Sequence, residues 1–185
     1  MSDPFSMLES DHRQVEQLLH QLDESEAGPE RERLVEQLTA ALSLHMEFEE
    51  AHVYPLTRRI LDDETVEEAD TEHELAREGL GKLSQLLSAP GFGAAVAMVE
   101  GGIKHHVEEE EDDIFPAMRR DLDQQQKADL ARRLVETKRE AGLLADSLEH
   151  ATKDDLVDIA TELGLDAKSS MTKAELSDLV LSTGG

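Results

Sequence analysis

The sequence predicts an all-α protein: an up-down-up-down four-helix bundle with an additional long helix and a small C-terminal helix-extension-helix module. Three observations carry that prediction. The 185 residues include one Tyr, four Phe and no Trp, and are rich in Glu, Leu and Ala, the composition of helices rather than sheets. Apolar residues recur at steps of three and four in four successive stretches. Breakers at Ala27-Gly28-Pro29, at Pro55 and at Ala89-Pro90-Gly91 separate these stretches by short turns, as antiparallel neighbours require.

The first helix has the seam Leu8, His12, Val15, Leu19 and Leu22, and His12 stands on the apolar face. The second runs from about Glu30 to Tyr54, stopping before Pro55, with Leu34, Leu38, Leu42, His45 and Glu49 turned inward and His52 nearby. The third carries Val66, Ala69, His73, Ala76, Leu80, Leu83 and Leu87 in one register. The fourth runs from Phe92 towards Phe115, with Val96, Val99, Ile103, His106 and Glu110 on one face. Gly101 and Gly102 interrupt it at about 1 kcal/mol each relative to Ala, and so predict local close packing.

Composition narrows the function. A formal charge of −25 excludes a nucleic-acid or anionic-membrane surface as the main partner and favours attraction of cations. With no Cys, neither disulfides nor thiolate ligands contribute. The start MSDPFSMLESDH lacks a basic region followed by an apolar run, and no stretch approaches membrane-spanning length, so a cytoplasmic location is expected.

The chain contains an internal repeat. HMEFEEAHVYP at His45 to Pro55 returns as HVEEEEDDIFP at His106 to Pro116, offset by 61 residues, and each leading His has another 33 residues before it, His12 and His73. Two sets of His, His and Glu thus fall on core-facing positions of four helices: His12, His45 and Glu49, then His73, His106 and Glu110. His45 with Glu49, and His106 with Glu110, are i and i+4 neighbours that project side by side. Two ionised carboxylates among four imidazoles would cost several kcal/mol each in an apolar core, and a bound metal is the partner that removes that cost. Of the run Glu108 to Asp113, Glu110 alone has the ligand phase; the remainder forms a solvated face. His52 and His105 stand beside the sets but off their phase, and His20 and His150 read as solvated.

A lone His, HxxxE before Tyr-Pro, a second lone His, and HxxxE before Phe-Pro together resemble the hemerythrin-like proteins with the HHE cation-binding domain, over about residues 5 to 120. That resemblance implies two non-haem iron ions in a four-helix bundle, oxo- or hydroxo-bridged, with Glu49 and Glu110 bridging and the four His capping them. Ferritin-like bundles instead carry Glu-x-x-His, which separates the two families. Oxygen-carrying hemerythrins have a fifth His one turn after the third, where this chain has Arg77. The resemblance therefore implies open metal positions and points to O2, hydrogen peroxide or nitric oxide as small-molecule partners, with peroxide decomposition as the enzymatic reading. Tyr54, the sole Tyr, stands where the second copy has Phe115 and is a candidate iron ligand or electron donor. The alternative reading is an iron- or oxygen-sensing binding protein that relays metal occupancy through its C-terminal module.

The expected divisions are a bundle over residues 1–120, a long helix or linker over 121–150 and a module over 151–185. From about Asp123 to His150 the pattern is one long charged helix with a stripe of Leu130, Leu134, Ala141, Leu144 and Leu148. In the module, Thr152 caps a helix bearing Leu156, Ile159 and Leu163 that Gly164 ends, and Thr172 caps a second with Leu176, Leu179 and Val180. TKDDLVDIATELGL and MTKAELSDLV resemble the N-terminal module of the transcription terminator Rho, related in form to SAP motifs. Three Lys and no Arg against seven acids predict poor phosphate affinity, so the module is expected to dock a protein partner rather than nucleic acid.

Overall fold

The computed structural model describes residues 4–168 and 170–182, leaving out the side chain of residue 162. Among these residues every regular element is a helix, with no strand. The helices are α1 (Phe5–Glu24), α2 (Pro29–Phe48), α3 (Tyr54–Ile60), α4 (Asp63–Gln85), α5 (Phe92–Glu109), α6 (Phe115–Asp121), α7 (Gln124–Glu140), α8 (Leu144–His150), α9 (Lys153–Glu162) and α10 (Lys173–Leu181). The chain divides into two compact units. One is Gln14–Ala117; the other joins the residues up to Arg13 to those from Met118 onward.

The Gln14–Ala117 unit is an all-α helical bundle. Its core interleaves Leu19 and Leu22 of α1 with Leu38, Leu42 and Met46 of α2, Leu80 and Leu83 of α4, and Val96, Val99 and Ile103 of α5. Apart from Met46, these are seam residues that the sequence pattern predicts, and burying each side chain is worth about 1.5–3 kcal/mol. The turns are stopped locally. Gly28, at φ 152°, takes a conformation unfavourable to residues with a side chain ahead of Pro29, and the Asp62 carboxylate accepts the Thr65 backbone N–H to start α4. Arg31 then ties one end together, donating to the Leu87 carbonyl at 2.9 Å and lying over the Phe92 ring at 4.2 Å.

The helix expected to stop before Pro55 does not stop. A π-helical turn over Glu49–Val53 carries the chain into α3, and a second one over Glu110–Ile114 carries α5 into α6. In each, the backbone N–H of the aromatic residue reaches back five residues, Tyr54 to the Glu49 carbonyl and Phe115 to the Glu110 carbonyl. Pro has no N–H and its ring crowds the carbonyl four residues earlier; the wider π turn relieves that crowding without ending the helix. Both π turns begin at the repeated Glu.

A second correction concerns glycine. A Cβ added at Gly101 or Gly102 would meet no heavy atom within 4 Å among the described residues, so neither answers a close approach. The close approach is at Gly79 of α4, where a Cβ would lie 2.6 Å from Cγ2 of the buried Val99. Gly101→Ala and Gly102→Ala should therefore each raise stability by about 0.5–1 kcal/mol. Gly79→Ala should lower it by about 1–2 kcal/mol through overpacking. Denaturant unfolding midpoints of the three variants check both signs.

In the other unit, the pattern expected as one long helix is interrupted: α7 ends at Glu140, Gly142 takes φ 73°, and α8 begins at Leu144. α9 and α10 start with capping boxes at Thr152 and Thr172, and Leu156, Ile159, Leu176 and Val180 are buried. The start of α1 is bound into this unit by polar contacts. Lys138 Nζ donates to Asp11 Oδ2 at 2.5 Å, the Ser147 hydroxyl donates to Asp11 Oδ1 at 2.9 Å, and Arg13 pairs with Asp155 at 3.1 Å.

Candidate metal centre

Each HxxxE pair straddles the junction of an α-helix and a π turn, so the His projects from the last α turn and the Glu from the first residue of the π turn. Inside the Gln14–Ala117 unit, His45, Glu49, His73, His106 and Glu110 are all buried, both Glu residues completely. His45 Nε2 lies 3.1 Å from Glu49 Oε1, and His73 Nε2 lies 3.5 Å from Glu49 Oε2. On the other side His106 Nε2 lies 3.6 Å from Glu110 Oε2. Ligand atoms of His45, Glu49 and Glu110 fall within 4.8 Å of one another, as do those of Glu49, His73 and His106, so Glu49 belongs to both groups. His12 is buried on α1, one turn before Val15.

The proton arrangement shows what this cluster is suited to hold. His73 Nδ1 is 2.9 Å from Glu50 Oε1, and His106 Nδ1 is 2.8 Å from Glu72 Oε2. An ionised carboxylate only accepts, so both Nδ1 atoms carry hydrogen and donate, which turns the Nε2 atom of each ring inward. Those two Nε2 atoms stand 3.0 Å apart. The Tyr54 hydroxyl lies 3.0 Å from His73 Nε2 and donates to Glu110 Oε1 at 3.3 Å. One hydroxyl proton cannot serve this many acceptors. Among the described residues, neither oxygen of Glu49 accepts a hydrogen bond of sound geometry, although both are fully buried. A separation of roughly 3.0 Å is what two ligands at right angles have when each bond is about 2.1 Å. The donors of this set, imidazole and carboxylate, suit iron, zinc or manganese.

Electrostatics point the same way. Burial pushes the Glu49 carboxyl up, yet the imidazoles of His45 and His73 reverse that and hold it well below the usual carboxylate range. Burial pushes His106 down, and the carboxylates of Glu110 and Glu72 overcome it, so the ring binds a proton more tightly than usual. Burial, reinforced by Glu110 and Glu49, pushes the Tyr54 phenol well up.

Three residues with roles at this site carry no signal in the HxxxE motif. Glu50 and Glu72 orient the two rings, and Arg77, in place of a fifth His, donates to the same Glu50 oxygen that His73 uses, at 2.8 Å. Burial works against the Glu50 carboxylate, but Arg77 and His73 hold it below its ordinary value. The repeat did contain a signal: at the same offset of 61, Asp11 corresponds to Glu72 and Glu50 to Glu111, so an acid precedes each lone His and follows each ligand Glu. Of the histidines off the repeat phase, His52 sets its ring edge-on to Phe48 with centroids 5.0 Å apart, and His105 is exposed.

Residues 3–118 match the family described as the hemerythrin HHE cation binding domain. That match ends before residues 151–185, and it lends no support to a Rho-like module there. No curated protein and no solved structure matches the chain significantly. No helix of the described residues is long and apolar enough to cross a membrane. The match covers more than half of the chain and includes both HxxxE sets, so the protein belongs to the hemerythrin HHE family of metal-binding helical bundles.

Proposed function

We propose that the protein is a non-haem di-iron protein that reacts with O2, hydrogen peroxide or nitric oxide, with decomposition of peroxide as its reaction. In this reading His12 and His45 would hold one ion, His73 and His106 the other, and Glu49 and Glu110 would be shared by both. The observation that carries it is the meeting of the His73 and His106 Nε2 atoms, 3.0 Å apart, beside two fully buried carboxylates. His12 enters as the repeat counterpart of His73.

When bound, a pair of irons supplies two-electron redox chemistry, so that one peroxide is oxidised to O2 while a second is reduced to two waters, the two protons passing from the first to the second. The protein's part is to place and insulate. Glu50 and Glu72 fix the tautomers of His73 and His106, keeping Nε2 free to bind. Arg77 holds Glu50 ionised for that purpose. Tyr54 brings its hydroxyl to the same point as His73 Nε2 and Glu110 Oε1, where it would serve as a seventh ligand through its oxygen.

The test is metal analysis of freshly purified protein, with visible spectra before and after peroxide. The expected result is about two irons per chain and repeated release of O2 per chain; Tyr54→Phe should lose the visible phenolate-to-iron absorption while keeping both irons. Iron without turnover would replace the enzyme reading with a sensor. Retention of the visible band in Tyr54→Phe would remove Tyr54 from the ligand set.

A further inference from the structure

We propose that Glu72, His105 and Glu109 form a second, solvent-facing site for a divalent cation, built outside the buried centre and sharing with it the carboxylate of Glu72. The geometry is that of a three-ligand cradle. His105 Nε2 lies 3.4 Å from Glu72 Oε1 and 3.4 Å from Glu109 Oε1, and ligand atoms of the three residues fall within 4.8 Å of one another. Roughly 3.4 Å is the separation of neighbouring ligands around a tetrahedral ion with bonds of about 2.1 Å. Glu72 is pre-positioned, since its other oxygen is engaged by His106 Nδ1 at 2.8 Å. His105 and Glu109 are one helical turn apart on α5, which sets their side chains on one face.

The internal repeat gives an independent reason to expect a positive charge there. Asp11, which stands at the repeat position of Glu72, is met by the ammonium of Lys138 at 2.5 Å. In the second copy the only positively chargeable group at hydrogen-bond distance from the outward Glu72 oxygen is the His105 imidazole, among the described residues. The other two members also depart from the repeat towards ligand chemistry: the first copy has Leu44 and Phe48 where the second has His105 and Glu109. The repeat therefore does not impose a polar outer face, and this one consists of metal-binding residue types.

One imidazole and two carboxylates suit a divalent transition ion, and the exposure sets its behaviour. The side chains are 60% (His105), 16% (Glu72) and 35% (Glu109) exposed, so water completes the coordination and the ion exchanges readily. Its place is one carboxylate away from His106, on a protein of charge −25 that concentrates cations at its surface. A cation captured there is presented to the outer shell of the buried centre.

The experiment is a calorimetric Zn2+ titration of the full chain, compared with His105→Ala, Glu109→Gln and Glu110→Gln. The wild type is expected to bind one weaker equivalent beyond the buried set. His105→Ala and Glu109→Gln should lose it, or bind it at least about tenfold more weakly, since removing a direct ligand costs no less than the 10–100-fold of an outer-shell partner. Both side chains face solvent, so both variants should keep their helical content. Glu110→Gln should keep the weak equivalent and lose the buried ions. Identical titrations of wild type, His105→Ala and Glu109→Gln would overturn the outer site. A wild-type-like titration of Glu110→Gln would instead defeat the assignment of the buried centre and leave the outer site standing.

Discussion

In the proposed di-iron protein, replacing Glu49 with Ala is expected to cost both buried metal ions rather than one. Glu49 offers ligand atoms to two groups, one with His45 and Glu110 and one with His73 and His106, so its loss opens both coordination spheres at once. The consequence for stability follows from linkage. Each ion at a thousandfold excess over its dissociation constant stabilises the folded chain by about 4 kcal/mol, so two give about 8 kcal/mol, which for a chain of this size is roughly 16–32 °C in the unfolding midpoint. Glu49→Ala should therefore unfold that much lower than the loaded wild type and should not respond to added metal. Glu50→Gln makes the contrast, because Glu50 only orients His73: affinity should fall by about 10–100-fold with the number of sites unchanged. Thermal scans with and without iron, alongside metal analysis, read both effects. A Glu49→Ala protein that still holds two ions would end the bridging assignment.

Much of this centre was legible in the sequence because the physics that builds it is periodic. Helical register places His45, His73, His106, Glu49 and Glu110 among Leu and Val seams, and five polar residues in those positions need a shared partner. What register could not show is the π turn. It depends on the missing N–H of Pro55 and Pro116 being accommodated rather than ending the helix, and period counting reads every Pro after a helix as a stop. Glu50 and Glu72 were hidden for another reason. Both are off the apolar face and resemble the many solvated acids of a highly charged chain, and only their carboxylate oxygens, not their positions, face the rings. Gly79 escaped notice because the close contact lies between two helices, whereas the paired Gly101 and Gly102 stood out on one. The grouping of the first turns of α1 with the chain beyond Met118 rests on contacts 127 and 136 residues apart, which no local pattern encodes.

Those long-range contacts make Lys138 the residue outside the metal cluster whose loss should hurt most. It is 5% exposed, as is fitting for a cation only when it is paired, and its ammonium meets Asp11, which the Ser147 hydroxyl also contacts. Lys138→Met keeps the length and apolar stem of the side chain but strips a buried carboxylate of its ammonium. Breaking a buried pair from one side costs about 3–5 kcal/mol, roughly 6–20 °C in unfolding midpoint here. Adding Asp11→Asn to that variant removes the stranded charge and should recover much of the loss, whereas Asp11→Asn alone should destabilise by leaving the ammonium buried. Recovery in the double variant is what separates an electrostatic role from simple packing, since packing defects would add. Asp11 immediately precedes His12, so in the proposed di-iron protein the same four proteins report on metal as well. If the network fixes the start of α1, Lys138→Met should lose iron affinity along with stability, and the double variant should regain both. An unfolding midpoint for Lys138→Met equal to that of the wild type would show that the ion pair contributes nothing net, its attraction matched by the cost of taking both charges out of water.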